Sequence, residues 1–379
     1  MNDISILIAG DYSPKERFQN AIDDGTYIGI FPGIRDIVTS VDYSVINFET
    51  TVPTVESTPI DKIGSHLSCK ENAFDVLQFL GFNLLTIANY HFMDYGKSAM
   101  ENSIRLASER GLEIVGGGKN MMEACVAKDV ELKGKHISFI NACEHEFSIA
   151  TEKSAGCNPF DIIELSYQIK YSKKRSDYVI LVLHGGNEHY QLPSPRMKKQ
   201  FRFLIDQGAD AIVNHHQHCY SGYEIHNGKP IFYGLGNFCF DSAADIKYRH
   251  KTYNYGYMVK LIFGEKISFE LFPYEQCYKT PGVFLFDEIR KIEFREDISK
   301  LNAIIADDVQ LEEMFSLMAR KKRDFIYRGF RPFSNRIANA LYYKGLLPSF
   351  VSKNRLKTIL AILECEAHRD VLLANLRRC

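Results

Sequence analysis

Short apolar runs alternate with stretches of helical spacing through most of this 379-residue chain, the pattern of an α/β layered domain. Ile4 to Ala9 reads as a strand that stops at Gly10-Asp11. Tyr43 to Asn47 reads as a second, ending near Glu49, and Asn83 to Ala88 as a third, ending at Asn89 and His91. Further strands are expected at Leu112–Val115, Lys135–Ala142 and Val179–Leu183, in the run before His215, and at Lys229–Tyr233. Between them, Ala73 to Leu80 and Gly96 to Arg110 carry helical spacing, closed by Gly81 and Gly111. Residues 253–274 alternate like closing strands; Asp287 to Met318 then turns charged and helical, and Thr358 to Leu376 reads as one amphipathic helix. The pattern therefore suggests two regions, 1–280 and a helical 287–379.

The polar residues that end the strands change the picture. Asp11, Glu49, His91, Glu144, His184 and His216 each follow a predicted strand, and α/β sheets gather their ligand sites at the carboxyl ends of strands. Most informative is Asp210-Ala-Ile-Val-Asn-His-His-Gln-His218, where an apolar run ends in three histidines within four positions. Strand alternation would turn His216 and His218 to one side and His215 away from them. Carboxylates with imidazoles, and no cysteine among them, suit Mn, Fe or Zn. One ion is expected, or two bridged by a carboxylate, an arrangement that clamps both oxygens of a phosphoester displacement. His91, with Asp94 beside it, is placed to protonate a leaving oxygen. Three other motifs carry less. Gly116-Gly-Gly-Lys119 lacks the spacing of a phosphate loop, Cys219 reads as a small buried residue, and Gly236-Asn237-Phe238 reads as a tight turn packing Phe238 and Phe240 under the site.

Composition narrows the partners rather than naming one. Net charge is −1, yet residues 314–379 hold 14 Lys/Arg against 4 Asp/Glu, a local +10 that leaves −11 on residues 1–313. The basic region reads as a solvated face, with docking to an anionic substrate, polymer or surface as the functional alternative. Nothing in the pattern calls for nucleic acid. Nine scattered cysteines without a Cys-x-x-Cys pair suit reduced thiols. No run approaches the roughly twenty apolar residues of a membrane span, and an acid stands where a signal peptide would carry Lys or Arg, so a cytoplasmic protein is expected.

Taken in order, Gly10-Asp11, Asn47-Phe-Glu49, Ala88-Asn-Tyr-His91-Phe-Met-Asp-Tyr-Gly96, His184-Gly-Gly-Asn-Glu188, His215-His-Gln-His218 and Gly228-Lys-Pro-Ile-Phe-Tyr-Gly-Leu-Gly-Asn-Phe238 resemble the CapA family. These are capsule-synthesis, poly-γ-glutamate-associated proteins related to the calcineurin-like metallophosphoesterases. The resemblance covers about residues 4–240 and implies a four-layer αββα sandwich with the metal centre at the sheet edges, followed here by the helical C-terminal extension. It implies Asp11 and His218 at a first metal position, Glu49 bridging, His184 and His216 at a second, and His91 as the acid near the leaving group. Its implied activity is metal-dependent phosphoester hydrolysis, or amide-bond chemistry on a glutamyl polymer; a non-catalytic assembly role is the third reading. Two positions depart from the superfamily pattern. Ser13 stands where it has His, and Tyr90 stands where it has Asn, with Asn89 adjacent as the substitute ligand. Each departure weakens one ion's position, and Glu144 or Glu146 is expected to compensate.

Overall fold

The computed structural model describes residues 3–242, 251–328 and 353–376, with single positions 337, 341, 344 and 346 between them. One sheet takes β1 (Ile4–Ser13), β2 (Tyr43–Phe48), β3 (Leu84–Thr86) and β4 (Glu113–Val115) in parallel, and returns along the other side of β1 with β13 (Asn237–Phe240), β14 (Tyr255–Phe263), β15 (Ile267–Gln276) and β16 (Val283–Leu285). The second has β6 (Lys128–Leu132), β7 (Lys135–Cys143), β9 (Tyr178–His184), β10 (Ala211–His215), β11 (Tyr223–His226) and β12 (Lys229–Phe232), in the order β11-β12-β10-β9-β7-β6. β5 (Gly117–Gly118) and β8 (Gly156–Cys157) form a small ribbon.

Strand alternation builds the layers. Ile4, Ile6 and Ile8 of β1 meet Phe139, Ile180, Val182 and Val213 between the sheets, while Leu7 and Ala9 face the opposite way. On that outer face lie helices Glu16–Asp23, Ile34–Thr39, Ala73–Leu80 and Gly96–Glu109, through Phe18, Val38, Leu77 and Met100. The second sheet's outward Leu181, Leu183 and Ile212 are covered by helices Ile162–Lys173 and Pro195–Asp206. The four-layer αββα sandwich is therefore present in full. Among the described residues no helix is long and apolar enough to cross a membrane.

Three local readings differ. Asn237–Phe240 is a strand, parallel to β1 with Asp11 opposite Asn237, and not only a turn. Phe240 does lie against the site, 4.8 Å between its ring centroid and that of His218, but Phe238 belongs to the outer cluster with Phe31 and Phe82. The single helix expected over Thr358–Leu376 is two, Lys353–Glu364 and Glu366–Leu376, broken at Cys365.

Helix Glu288–Ala306 is woven into the sandwich. Its Phe294 and Ile298 join the inter-sheet cluster, Ile305 and the following Leu311 join the outer one, and Asn302 Oδ1 accepts the Tyr223 N–H at 2.7 Å. We propose that the folding unit runs through this helix instead of ending near residue 280. Four large side chains at about 1.5–3 kcal/mol each amount to a large share of a typical stability of about 5–15 kcal/mol. A chain cut near residue 285 is expected to be insoluble or molten, and one cut after 328 to melt cooperatively. Equal melting transitions for the two would place the boundary back at 280.

Candidate metal centre

Two rows of residues face each other at the carboxyl edges of the sheets. In the first sheet Asn237, Asp11 and Asn47 stand in register; in the second, Cys143, His184 and His215 do. Glycine at position 10 is what lets the first row close: a Cβ there would sit 2.0 Å from the Gly236 carbonyl oxygen. The Asp11 N–H donates to that same oxygen at 3.2 Å.

At the end of β10 the backbone leaves the extended conformation. His216 has φ 90° and His218 φ 51°, both left-handed and both uncommon for a residue with a side chain. This turn overrides the alternation expected for the three histidines. His215 does not face away: its Nδ1 lies 3.2 Å from Asp11 Oδ1. His218 Nδ1 is 3.5 Å from Asp11 Oδ2, and its Nε2 is 3.7 Å from Glu49 Oε1. His184 Nε2 is 3.6 Å from that same Glu49 oxygen. Donor atoms of Asp11, Glu49 and His218 all lie within 4.8 Å of one another, as do those of Glu49, His184 and His216. Glu49 is common to both triads.

The electrostatics of this cluster suit a cation. Burial holds His184 and His216 well below the usual histidine range, so both imidazoles are neutral with lone pairs free. Burial also pushes the Glu49 carboxyl well above its usual range. Burial opposes charge on His218, but Glu49 and Asp11 outweigh it and push its pKa up to about 10. Asp11 resists burial through His215 and His218 and is held well below the carboxylate range. Without a metal, the His218 proton lies between the two buried carboxyl groups of Asp11 and Glu49. Both Glu49 oxygens, His184 Nε2 and His216 Nδ1 are nonetheless buried without a hydrogen-bond partner. Each such group costs about 1–3 kcal/mol, and a divalent ion would satisfy them together.

The remaining candidates fall outside the triads. Asn89 is spent on its own loop: Oδ1 accepts the N–H groups of His91 and Phe92 at 3.1 and 3.0 Å, and Nδ2 donates to the Phe48 carbonyl at 2.9 Å. It is not placed as the substitute ligand. Ser13 is a ladder residue of β1, opposite Phe240. Tyr90 stands edge-on to His184 and His216, ring centroids 5.0 and 4.4 Å away, and walls the histidines. Glu144 does not compensate, because Arg196 and the Gly186 N–H take its oxygens at 2.5 and 2.9 Å. Glu146 sits instead with Cys365 and His368. Beside the triads, His91 Nδ1 is 2.7 Å from Asp94 Oδ2, and Asp94 is held by the Leu67 N–H and an ion pair to Lys62.

Other residues enter that the pattern did not single out. Asn47 Nδ2 donates to Asp11 Oδ1 at 2.7 Å and lies 3.3 Å from His184 Nδ1. Asn237 Oδ1 lies 2.8 Å from His218 Nδ1. These two carboxamides fix the orientation of Asp11 and His218, as groups behind a metal site do. Glu188 forms a third triad with His216 and His218. The available signal for the asparagines was a polar residue inside an apolar strand run.

Residues 5–242 match the family model described as "Bacterial capsule synthesis protein PGA_cap". The chain is 30% identical over 243 residues to the PGA biosynthesis protein CapA of Bacillus subtilis (strain 168), covering 62% of each chain. It is 30% identical over 222 residues to the capsule biosynthesis protein CapA of Bacillus anthracis, covering 56% of this chain and 54% of that one. The matches thus span less than two thirds of either relative. Among solved structures, a 5'-nucleotidase precursor from Thermus thermophilus overlaps 80% of this chain and 60% of its own at 10% identity and a TM-score of 0.44. Asp11, Glu49, His184, His216 and His218 all fall inside the matched region, and the chain belongs to the bacterial capsule synthesis protein family.

Proposed function

We propose that this protein is a metal-dependent hydrolase of the phosphoesterase type that acts in capsule or poly-γ-glutamate biosynthesis. The observation that carries this reading is the pair of triads sharing Glu49, in which both Glu49 oxygens, His184 Nε2 and His216 Nδ1 are buried and unpartnered. Asp11, Glu49 and His218 would hold one divalent ion, and Glu49, His184 and His216 a second. When bound, such ions polarise a phosphoryl oxygen and make water nucleophilic near neutral pH. Asn47 and Asn237 keep Asp11 and His218 turned toward the centre. Tyr90 keeps bulk water off the two neutral histidines. Asp94 fixes the Nδ1 side of His91 and leaves Nε2 to hand a proton to the departing oxygen.

Purified full-length chain, reconstituted with Mn, Fe or Zn and offered phosphomonoesters, phosphodiesters and γ-glutamyl peptides, tests the reading. Metal-dependent phosphoester turnover supports it. Turnover of the peptides alone would move the protein to amide-bond chemistry. A protein that stays metal-free after reconstitution would leave the assembly role.

The His218 proton has a measurable consequence. A ligand whose metal-free pKa is about 10 must lose its proton to bind metal, so uptake should release a proton and affinity should rise about tenfold per pH unit below that value. Calorimetry of metal loading in buffers of differing ionisation enthalpy reads this directly, and uptake without proton release near neutral pH would contradict it. In the metal-free protein the sign is the usual one for a raised histidine. Its pairing with Asp11 and Glu49 stabilises the fold fully below the ordinary value of 6.5 and is lost as pH rises through about 10.

A further inference from the structure

Outside the two triads, a different set of ligating groups converges where the C-terminal helices meet the sandwich. Cys365 lies at the break between helices Lys353–Glu364 and Glu366–Leu376, and His368 follows in the first turn of the second helix. Glu146, in the loop after β7, completes the group: one donor atom from each residue lies within 4.8 Å of the other two. His368 Nδ1 is 3.9 Å from Glu146 Oε1 and is buried with no hydrogen-bond partner. Cys365 is 1% exposed. The surroundings are pinned from both sides. His145 donates its N–H to Glu366 Oε2 at 3.2 Å and places Nδ1 2.7 Å from Oε1, while Arg196 Nε donates to Asp370 Oδ2 at 2.5 Å.

We propose that Glu146, Cys365 and His368 form a zinc site that clasps the C-terminal helices to the sandwich. A thiolate, an imidazole and a carboxylate are a borderline-soft set of the kind zinc takes, with a fourth position left for water. Ligand atoms around zinc stand about 3.5 Å apart, given bond lengths of about 2.0–2.3 Å. Closing from the observed spacing needs side-chain shifts of about 1 Å, within reach of rotamer adjustment. The break in the helix now has a purpose, because it turns the Cys365 sulfur toward the N–H groups of Ala367 and His368, which favour the thiolate. Burial acts against charge on all three residues, raising Cys365 and taking Glu146 up to about 8 while lowering His368. A cation is what lets Cys365 and Glu146 ionise together.

The site is separable from the proposed catalytic centre by its sulfur, since neither Glu49 triad contains a cysteine. Cobalt(II) loading of the full-length protein should give a near-ultraviolet thiolate-to-cobalt charge-transfer band alongside the visible bands of oxygen and nitrogen coordination. In Cys365→Ser the charge-transfer band should vanish and the visible bands of the Glu49 triads remain. In His368→Asn the band should need at least about tenfold more cobalt, with a melting curve recorded on both variants to confirm folding. Zinc should slow hydrogen exchange of residues 353–376 in the wild type and not in Cys365→Ser. Cobalt-loaded wild type without the charge-transfer band, or a band that survives in Cys365→Ser, would overturn the assignment whatever the phosphoester assays show.

Discussion

Glu49→Gln is expected to strip the protein of metal and lower turnover by on the order of a thousandfold, the scale of the several kcal/mol that metal ions contribute to such transition states. Glu49 is the one residue common to both triads, so its loss removes a ligand from each position, whereas a histidine substitution damages one. The fold should survive. Glu49 is fully buried, both its oxygens lack hydrogen-bond partners, and burial already disfavours its charge. Replacing it by a neutral amide of the same shape removes that buried charge but also its pairing with His218, two effects of opposite sign. Metal content, turnover and melting temperature measured together separate this from simple damage: metal and rate fall while the metal-free melting temperature stays close to that of the unsubstituted chain. His216→Ala should fall between, keeping one ion. A Glu49→Gln protein with full metal and full rate would refute the shared-ligand arrangement.

His91→Ala should do the reverse, keeping the metal and losing about 10²–10⁴ in kcat, the span of general acid catalysis. Among the described residues no metal-ligand triad contains His91, and its Nδ1 is committed to Asp94. Burial is the largest influence on its pKa and lowers it, Lys62 adds to that, and Asp94 opposes both. An acid must carry its proton, so kcat/KM should fall as pH rises past a value below the ordinary 6.5, and that alkaline limb should be missing in His91→Ala. Substrates with an activated leaving group need less protonation and should lose less. Loss of metal from His91→Ala would mean that the division between ligand and acid is wrong.

The layers and the ligand-bearing strand ends were legible because both rest on local periodicity. Ile4, Ile6 and Ile8 against Leu7 and Ala9 state the two faces of β1 outright. The candidate ligands were legible for a related reason: Glu49, His184, His216 and His218 each end or follow a strand, and Asp11 stands two residues before the end of β1. What escaped depended on backbone twist or distant partners. His215 faces Asp11 by the alternation of β10 itself, on the same face as Ala211 and Val213, and it is the positive φ at His216 and His218, which no alternation rule anticipates, that turns those two to the same side. Asn89 was lost to it because its own loop needed the carboxamide more. Asn237 looked like part of a turn until β13 was seen paired with β1, a neighbour more than two hundred residues earlier. Glu144 and Glu146 were claimed by Arg196 and by the C-terminal helices, groups far away in sequence.

That pairing of β1 with late strands also orders events during synthesis. The strands of the second sheet all fall between β6 and β12, so that layer can assemble as it leaves the ribosome. β1 can pair early with β2, but its other edge must wait: the partners there, β13 and β14, begin at Asn237 and Tyr255, and closing so long a loop is slow. Asp11 can therefore meet His218 only near the end of translation of the sandwich. If the centre takes up metal as proposed, metal capture would be the last step of maturation, and free ion in the cell would act on the finished fold by mass action, holding it against reopening.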